Sequence, residues 1–104
     1  MLKSIDDAHF EAEVLESEKP VVVDFTAAWC APCRVMGPVL EELAAERDDV
    51  RFVKLDVDSN QATAARYGVM SMPTFVVFDG GEPVLTLVGS RPKRRLAEEL
   101  AAVV

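Results

Sequence analysis

The stretch Asp24-Phe25-Thr26-Ala27-Ala28-Trp29-Cys30-Ala31-Pro32-Cys33-Arg34 carries both cysteines of the chain. It lies where a β-branched and aromatic run, PVVVDFTA at 20–27, gives way to a helical pattern from Ala31 to about Arg47. The run reads as a strand covered on both faces. The helix places Val39, Leu40 and Leu43 on one side and Glu41 and Glu42 on the other, with Pro38 expected to kink it near Arg34. A pair of thiols at such a junction can be half of a metal site, a structural crosslink or a redox couple.

Working outward, LKSI at 2–5 reads as an edge strand. DDAHFEAEVLES at 6–17 reads as a short amphipathic helix, with Phe10 and Val14 four apart and Asp6 or Asp7 available as a cap. Downstream, VRFVKLDV at 50–57 is a strand and NQATAARYG at 60–68 a short helix that Gly68 is placed to end. TFVVFD at 74–79, the turn Asp79-Gly80-Gly81 and PVLTLVG at 83–89 form a hairpin. PKRRLAEELAAVV at 92–104 closes the chain as a helix with Pro92 in its first turn. The alternation predicts an α/β fold in one domain, 1–104, whose central mixed sheet carries helices on both faces.

At 104 residues and 50% hydrophobic, the chain is long enough to bury a core without metal or extra crosslinks. Its net charge of −7, from 18 acids against 11 bases, argues against nucleic acid or an anionic membrane as partner. The local exception, RPKRR at 91–95, reads as a solvated helix face. The first residues lack the pattern of a secretory leader and no apolar run approaches the roughly 20 residues of a membrane span, so a cytoplasmic protein is expected. Structural disulfides are rare in that compartment, and one closing across two residues would restrict little of the unfolded chain.

A closed zinc site wants about four Cys or His ligands, and this chain offers Cys30, Cys33 and a distant His9. No metal is expected. As a redox couple the pair fits its surroundings better. Cys30 precedes a helix, where unsatisfied backbone N–H groups and the positive end of the dipole favour a thiolate. Cys33, three residues deeper on the same side, can reach the Cys30 sulfur but is less accessible to a partner.

Three other positions are anomalous. Asp24 is an acid inside a strand that its neighbours mark as buried, and burial costs several kcal/mol unless the acid finds a partner or keeps its proton. Lys54, itself out of place in FVKLDV, could supply that partner as an ion pair. Trp29 beside an accessible thiol suggests a contact surface, and Met70 and Met72 could rim it, although Met70 could also fill core. Tyr67, Phe10 and the other phenylalanines read as core.

Asp24-Phe25, Trp29-Cys30-x-Pro32-Cys33, Pro38, Lys54, Met72-Pro73-Thr74 and Gly89 together resemble the thioredoxin family in order and spacing over nearly the whole chain. That resemblance implies the thioredoxin fold and a protein that reduces disulfides in other proteins. It implies thioredoxin reductase as partner, supplying electrons from NADPH, with no cofactor bound beyond the redox-active disulfide Cys30–Cys33, and a monomer. Cys30 would attack and Cys33 resolve. Asp24 would take and return the Cys33 proton with Lys54 as electrostatic modulator. Trp29, Ala31, Pro32, Met72, a cis Pro73 and Gly89 would bind substrate. Two departures stand out: Ala31 where the usual pair encloses glycine, and Thr26 where many bacterial members carry a second tryptophan.

Overall fold

In a computed structural model describing residues 2–104, the expected strands form as β1 (Lys3–Ile5), β2 (Val21–Thr26), β3 (Arg51–Asp56), β4 (Thr74–Asp79) and β5 (Glu82–Val88). The helices are α1 (Ala31–Glu46), α2 (Gln61–Arg66) and α3 (Lys93–Ala101). The strands lie in the order β1-β3-β2-β4-β5. β3 runs parallel to both β1 and β2, while β4 is antiparallel to β2 and to β5. Helical crossovers thus join the parallel half, and a hairpin completes the antiparallel half.

Alternation along β2 divides the core between the two faces of this sheet. Val21, Val23 and Phe25 pack with Phe10, Val14, Leu55, Phe78 and Ala64 of α2. Val22 packs on the other side with Phe75, Met36 and Leu40 of α1, and Leu96 and Leu100 of α3. Helices therefore cover both faces, as an α/β thioredoxin fold requires. Each fully buried side chain of this kind contributes about 1.5–3 kcal/mol relative to exposure. Asp24 shares the Val22 face, which directs its carboxyl toward α1. The sheet's alternation thus sets the position of the acid.

The segment expected as one amphipathic helix is instead a 3-10 turn at Asp7–His9 followed by a π-helical turn at Glu11–Leu15. Phe10 and Val14 do enter the core, so the hydrophobic spacing holds. Asp6 is the cap, accepting the His9 N–H at 2.9 Å. The departure follows from Asp7, whose carboxylate accepts the backbone N–H and the hydroxyl of Thr63 on α2 at 3.0 and 2.5 Å. Its own N–H donates to the Asn60 side chain at 2.8 Å. Tethered at Asp7 and docked at Phe10 and Val14, the segment closes with a wide Glu16 N–H to Glu11 carbonyl bond rather than a regular α turn.

The hairpin turn consists of Gly80 and Gly81, both at positive φ (61° and 82°), the conformation that a two-residue turn between twisted strands demands. A β-carbon on Gly81 would stand 2.9 Å from the Leu15 carbonyl oxygen. The basic run at 91–95 is largely the exposed face expected of it, with Arg94 and Arg95 in solvent, but the Arg91 side chain is only 7% exposed. Lys93 meets Glu46 and Glu42 of α1, Arg94 meets Glu98, and Arg95 and Arg91 share Glu99.

Candidate functional site

Cys30 ends the loop after β2 as the N-cap of α1, with extended backbone, and its Sγ accepts the Cys33 N–H at 3.2 Å. One of the orphan donors of the helix terminus is therefore spent on sulfur. Pro32 occupies the first turn, where a missing N–H costs no helical bond. The two sulfurs form a disulfide across a Cα–Cα distance of 5.3 Å. Both residues are buried, 4% and 5% exposed, so accessibility does not separate them in this oxidised form as the sequence suggested. Position does separate them. Cys33 lies within the helix and lines a pocket of about 370 Å³ that Cys30 does not line.

Asp24 and Lys54 line that same pocket. Asp24 is 4% exposed, and its Oδ1 has no hydrogen-bond partner among the described residues. Burial pushes its carboxyl up to about 7, against the opposing pull of the Lys54 charge. No ion pair forms between them, so burial wins over pairing. A carboxyl of this kind holds or yields a proton near neutral pH, in the pocket that Cys33 also lines.

Trp29 is 64% exposed and its indole N–H donates to Asp58 at 2.8 Å. The sequence did not single out Asp58 as a partner of Trp29; its place just beyond the carboxyl end of β3, where loops in such sheets carry function, is the available signal. The Met72–Pro73 peptide is cis. Met72 packs against the core cluster to which Cys30 and Cys33 also belong. Its backbone N–H and C=O enter none of the loop's backbone hydrogen bonds among the described residues. Gly89, at φ 95°, donates its N–H to the Pro73 carbonyl at 2.8 Å. Met70 stands out from the loop at 92% exposure and does not fill core, while Tyr67 and Phe10 stack with Phe78 inside.

His9 pairs with Asp6 at the surface rather than converging on the cysteines. No group of three or more metal-ligating side chains comes together among the described residues. No helix there is long and apolar enough to cross a membrane.

Comparison with known proteins agrees with this geometry. The family model named Thioredoxin matches residues 1–102. A thioredoxin of Streptomyces clavuligerus is 54% identical over 96 residues, covering 92% of this chain and 90% of its own. A thioredoxin of Alicyclobacillus acidocaldarius is 49% identical over 102 residues, covering 97% and 96%. A bifunctional thioredoxin reductase/thioredoxin of Mycobacterium leprae is 48% identical over 101 residues, which span 96% of this chain and 22% of that protein.

Proposed function

Since the chain belongs to the thioredoxin family and is thereby an oxidoreductase of protein disulfides, we propose that it works as a cytoplasmic reductant in which Cys30 attacks and Cys33 resolves. The observation that carries these roles is the asymmetry of the pair. Cys30 Sγ caps the helix, where N–H groups stabilise a thiolate, and Cys33 lines the Asp24 pocket.

In the reduced protein, the Cys30 thiolate attacks one sulfur of a substrate disulfide. A mixed disulfide forms, the substrate bond breaks, and the departing sulfur takes a proton from solvent. Cys33 then attacks Cys30 Sγ, forming the Cys30–Cys33 bond and releasing the second substrate sulfur. Two electrons have passed from the dithiol to the substrate. Asp24 accepts the proton that Cys33 must lose, and the Lys54 charge keeps the carboxyl from rising further out of the neutral range.

Trp29, Ala31, Pro32, Met72, Pro73 and Gly89 form the groove for substrate. The unengaged backbone of Met72 supports pairing with an extended segment, which would bind as an added strand. No cofactor is bound. A thioredoxin reductase returns electrons from NADPH, a partnership supported by the fused name of the Mycobacterium leprae relative. The protein acts as a single domain, 1–104, and as a monomer. The charge of −7 supports neither nucleic acid nor an anionic membrane as partner.

Equilibration with glutathione buffers, followed by quantifying the Cys30–Cys33 dithiol, tests the direction of electron flow. A reductant is expected to fall near the thioredoxin value of about −270 mV. A potential near −120 mV, that of a strong dithiol oxidant, would overturn it.

A further inference from the structure

Arg91 opens the basic run that the sequence assigns to solvent, yet its side chain is 7% exposed. Every guanidinium nitrogen is engaged. Nη1 donates to both Glu99 carboxylate oxygens at 2.9 and 2.8 Å, Nη2 to the Val88 carbonyl at 2.7 Å and Nε to the Gly89 carbonyl at 3.3 Å. Glu99 is a residue of α3, and Val88 ends β5. Arg91 therefore ties the last helix to the strand end beside the groove.

That strand end in turn holds the groove's floor. Val88 stands opposite Thr74 in the antiparallel register, and the Gly89 N–H reaches the Pro73 carbonyl. An uninterrupted set of hydrogen bonds thus runs from the Glu99 carboxylate through Arg91 to Val88 and Gly89, and on to Pro73.

We propose that Arg91, anchored by Glu99, is a positioning residue that fixes Val88–Gly89 against Met72–Pro73 and so determines affinity for protein disulfides without acting on the cysteine chemistry. The inference rests on the reading of Met72–Pro73 as the substrate-pairing edge. A peptide that binds as an added strand needs that edge held in place, because misplaced backbone groups cannot all pair at once. A small disulfide with no peptide segment needs only the sulfur of Cys30. Lysine is no substitute at position 91, since one ammonium lacks the planar fork that meets a carboxylate and two carbonyls together. Arg95 also approaches Glu99, at 3.6 Å, but is 66% exposed and touches no groove carbonyl. It provides the internal control.

The test is single-turnover oxidation of the reduced protein, followed by the fluorescence of its one tryptophan, Trp29, against increasing insulin and, separately, 2-hydroxyethyl disulfide. For R91M, the half-saturating insulin concentration is expected to rise roughly tenfold, equivalent to about 1.4 kcal/mol. Its limiting rate with insulin and its rate with 2-hydroxyethyl disulfide are expected to stay within about twofold of the parent. R91K is expected to resemble R91M, and R95M the parent. E99Q keeps the shape of the anchor and guards against misfolding of R91M; it is expected to weaken insulin binding in the same selective way. Equal slowing with both disulfides, or no change in R91M and E99Q, would overturn the proposal. A parent that reduced neither disulfide would instead overturn the functional reading on which it stands, and one that reduced only the small disulfide would overturn the groove assignment.

Discussion

Asp24 and Lys54 stand opposite each other in the parallel register of β2 and β3 and line one pocket with Cys33, yet no ion pair joins them. Of the two fates open to a buried acid, pairing or a retained proton, the fold has taken the second. In the folded protein the carboxyl holds its proton up to about pH 7, whereas its ordinary value is 3.8. Unfolding in that window releases a proton, so stability falls as pH climbs from about 4 to about 7 and then levels off. Asp24→Asn removes this liability. The oxidised variant is expected to exceed the parent in stability by on the order of 2–4 kcal/mol at about pH 8, and by far less at about pH 4. Urea denaturation at the two pH values checks it; a pH-independent difference would place the effect in packing.

The same substitution separates the two chemical steps. On the proposed route Cys30, at the helix cap, attacks without help from Asp24, while Cys33, which lines the Asp24 pocket, must lose its proton inside the mixed disulfide. Asp24→Asn is expected to slow decay of the mixed disulfide by roughly tenfold or more, within the range of lost general-base catalysis, and to leave its formation nearly unchanged. Single-turnover kinetics from about pH 6 to 9 resolve the two phases. Unchanged decay across that range would leave Asp24 with a structural role.

Cys33→Ser is expected to convert the protein into a trap, because attack through Cys30 proceeds and resolution cannot. Non-reducing electrophoresis with insulin would show the accumulating adduct. Turnover equal to the parent's would exclude the two-thiol route.

Local patterns carried most of the fold and the site. The valine run around Asp24, the cysteine before Ala31 and the four-residue spacing of Phe10 and Val14 each depend on near neighbours, so a reader of the chain alone can place them. What escaped depends on contacts that no local pattern encodes. The π-helical turn follows from Asp7 meeting Thr63, 56 residues away. Trp29 is oriented by Asp58, 29 residues on. Arg91 looked like one more solvated charge in RPKRR because its partners are the carbonyl of Val88 at the end of β5, the carbonyl of Gly89 just beyond it, and an acid eight residues later. Equal burial of the two cysteines was likewise illegible, since both join a core cluster assembled from residues as distant as Ile5 and Phe78.

Gly80 and Gly81 differ in a way that mutation can separate. Both have positive φ, so alanine at either strains the backbone by about 1–2 kcal/mol. A β-carbon at 80 meets nothing within 4 Å, whereas at 81 it lies 2.9 Å from the Leu15 carbonyl oxygen, a backbone atom that cannot rotate aside. Gly81→Ala is therefore expected to cost about 1–3 kcal/mol more than Gly80→Ala, in the range of a forced clash in a packed region. Urea midpoints of the two variants provide the comparison, and equal losses would mean that the Leu15 segment yields freely.

Lys54 acts on Asp24 from a distance, which makes its removal informative. Burial raises the Asp24 carboxyl and the Lys54 charge lowers it, so Lys54→Met leaves the first effect unopposed and the carboxyl rises above about 7. The pH range over which the oxidised protein loses stability is then expected to extend further to the alkaline side. On the proposed route, proton uptake from Cys33 needs an ionised Asp24, so the resolving step of Lys54→Met is expected to reach its full rate only at higher pH than in the parent. Asp24→Asn supplies the decisive control. If Lys54 works through the carboxyl, adding Lys54→Met to Asp24→Asn leaves the pH profile of resolution where the single Asp24 variant puts it, and the two substitutions fail to add. Additive shifts in that profile would mean that Lys54 influences Cys33 directly, with Asp24 as a bystander in its effect.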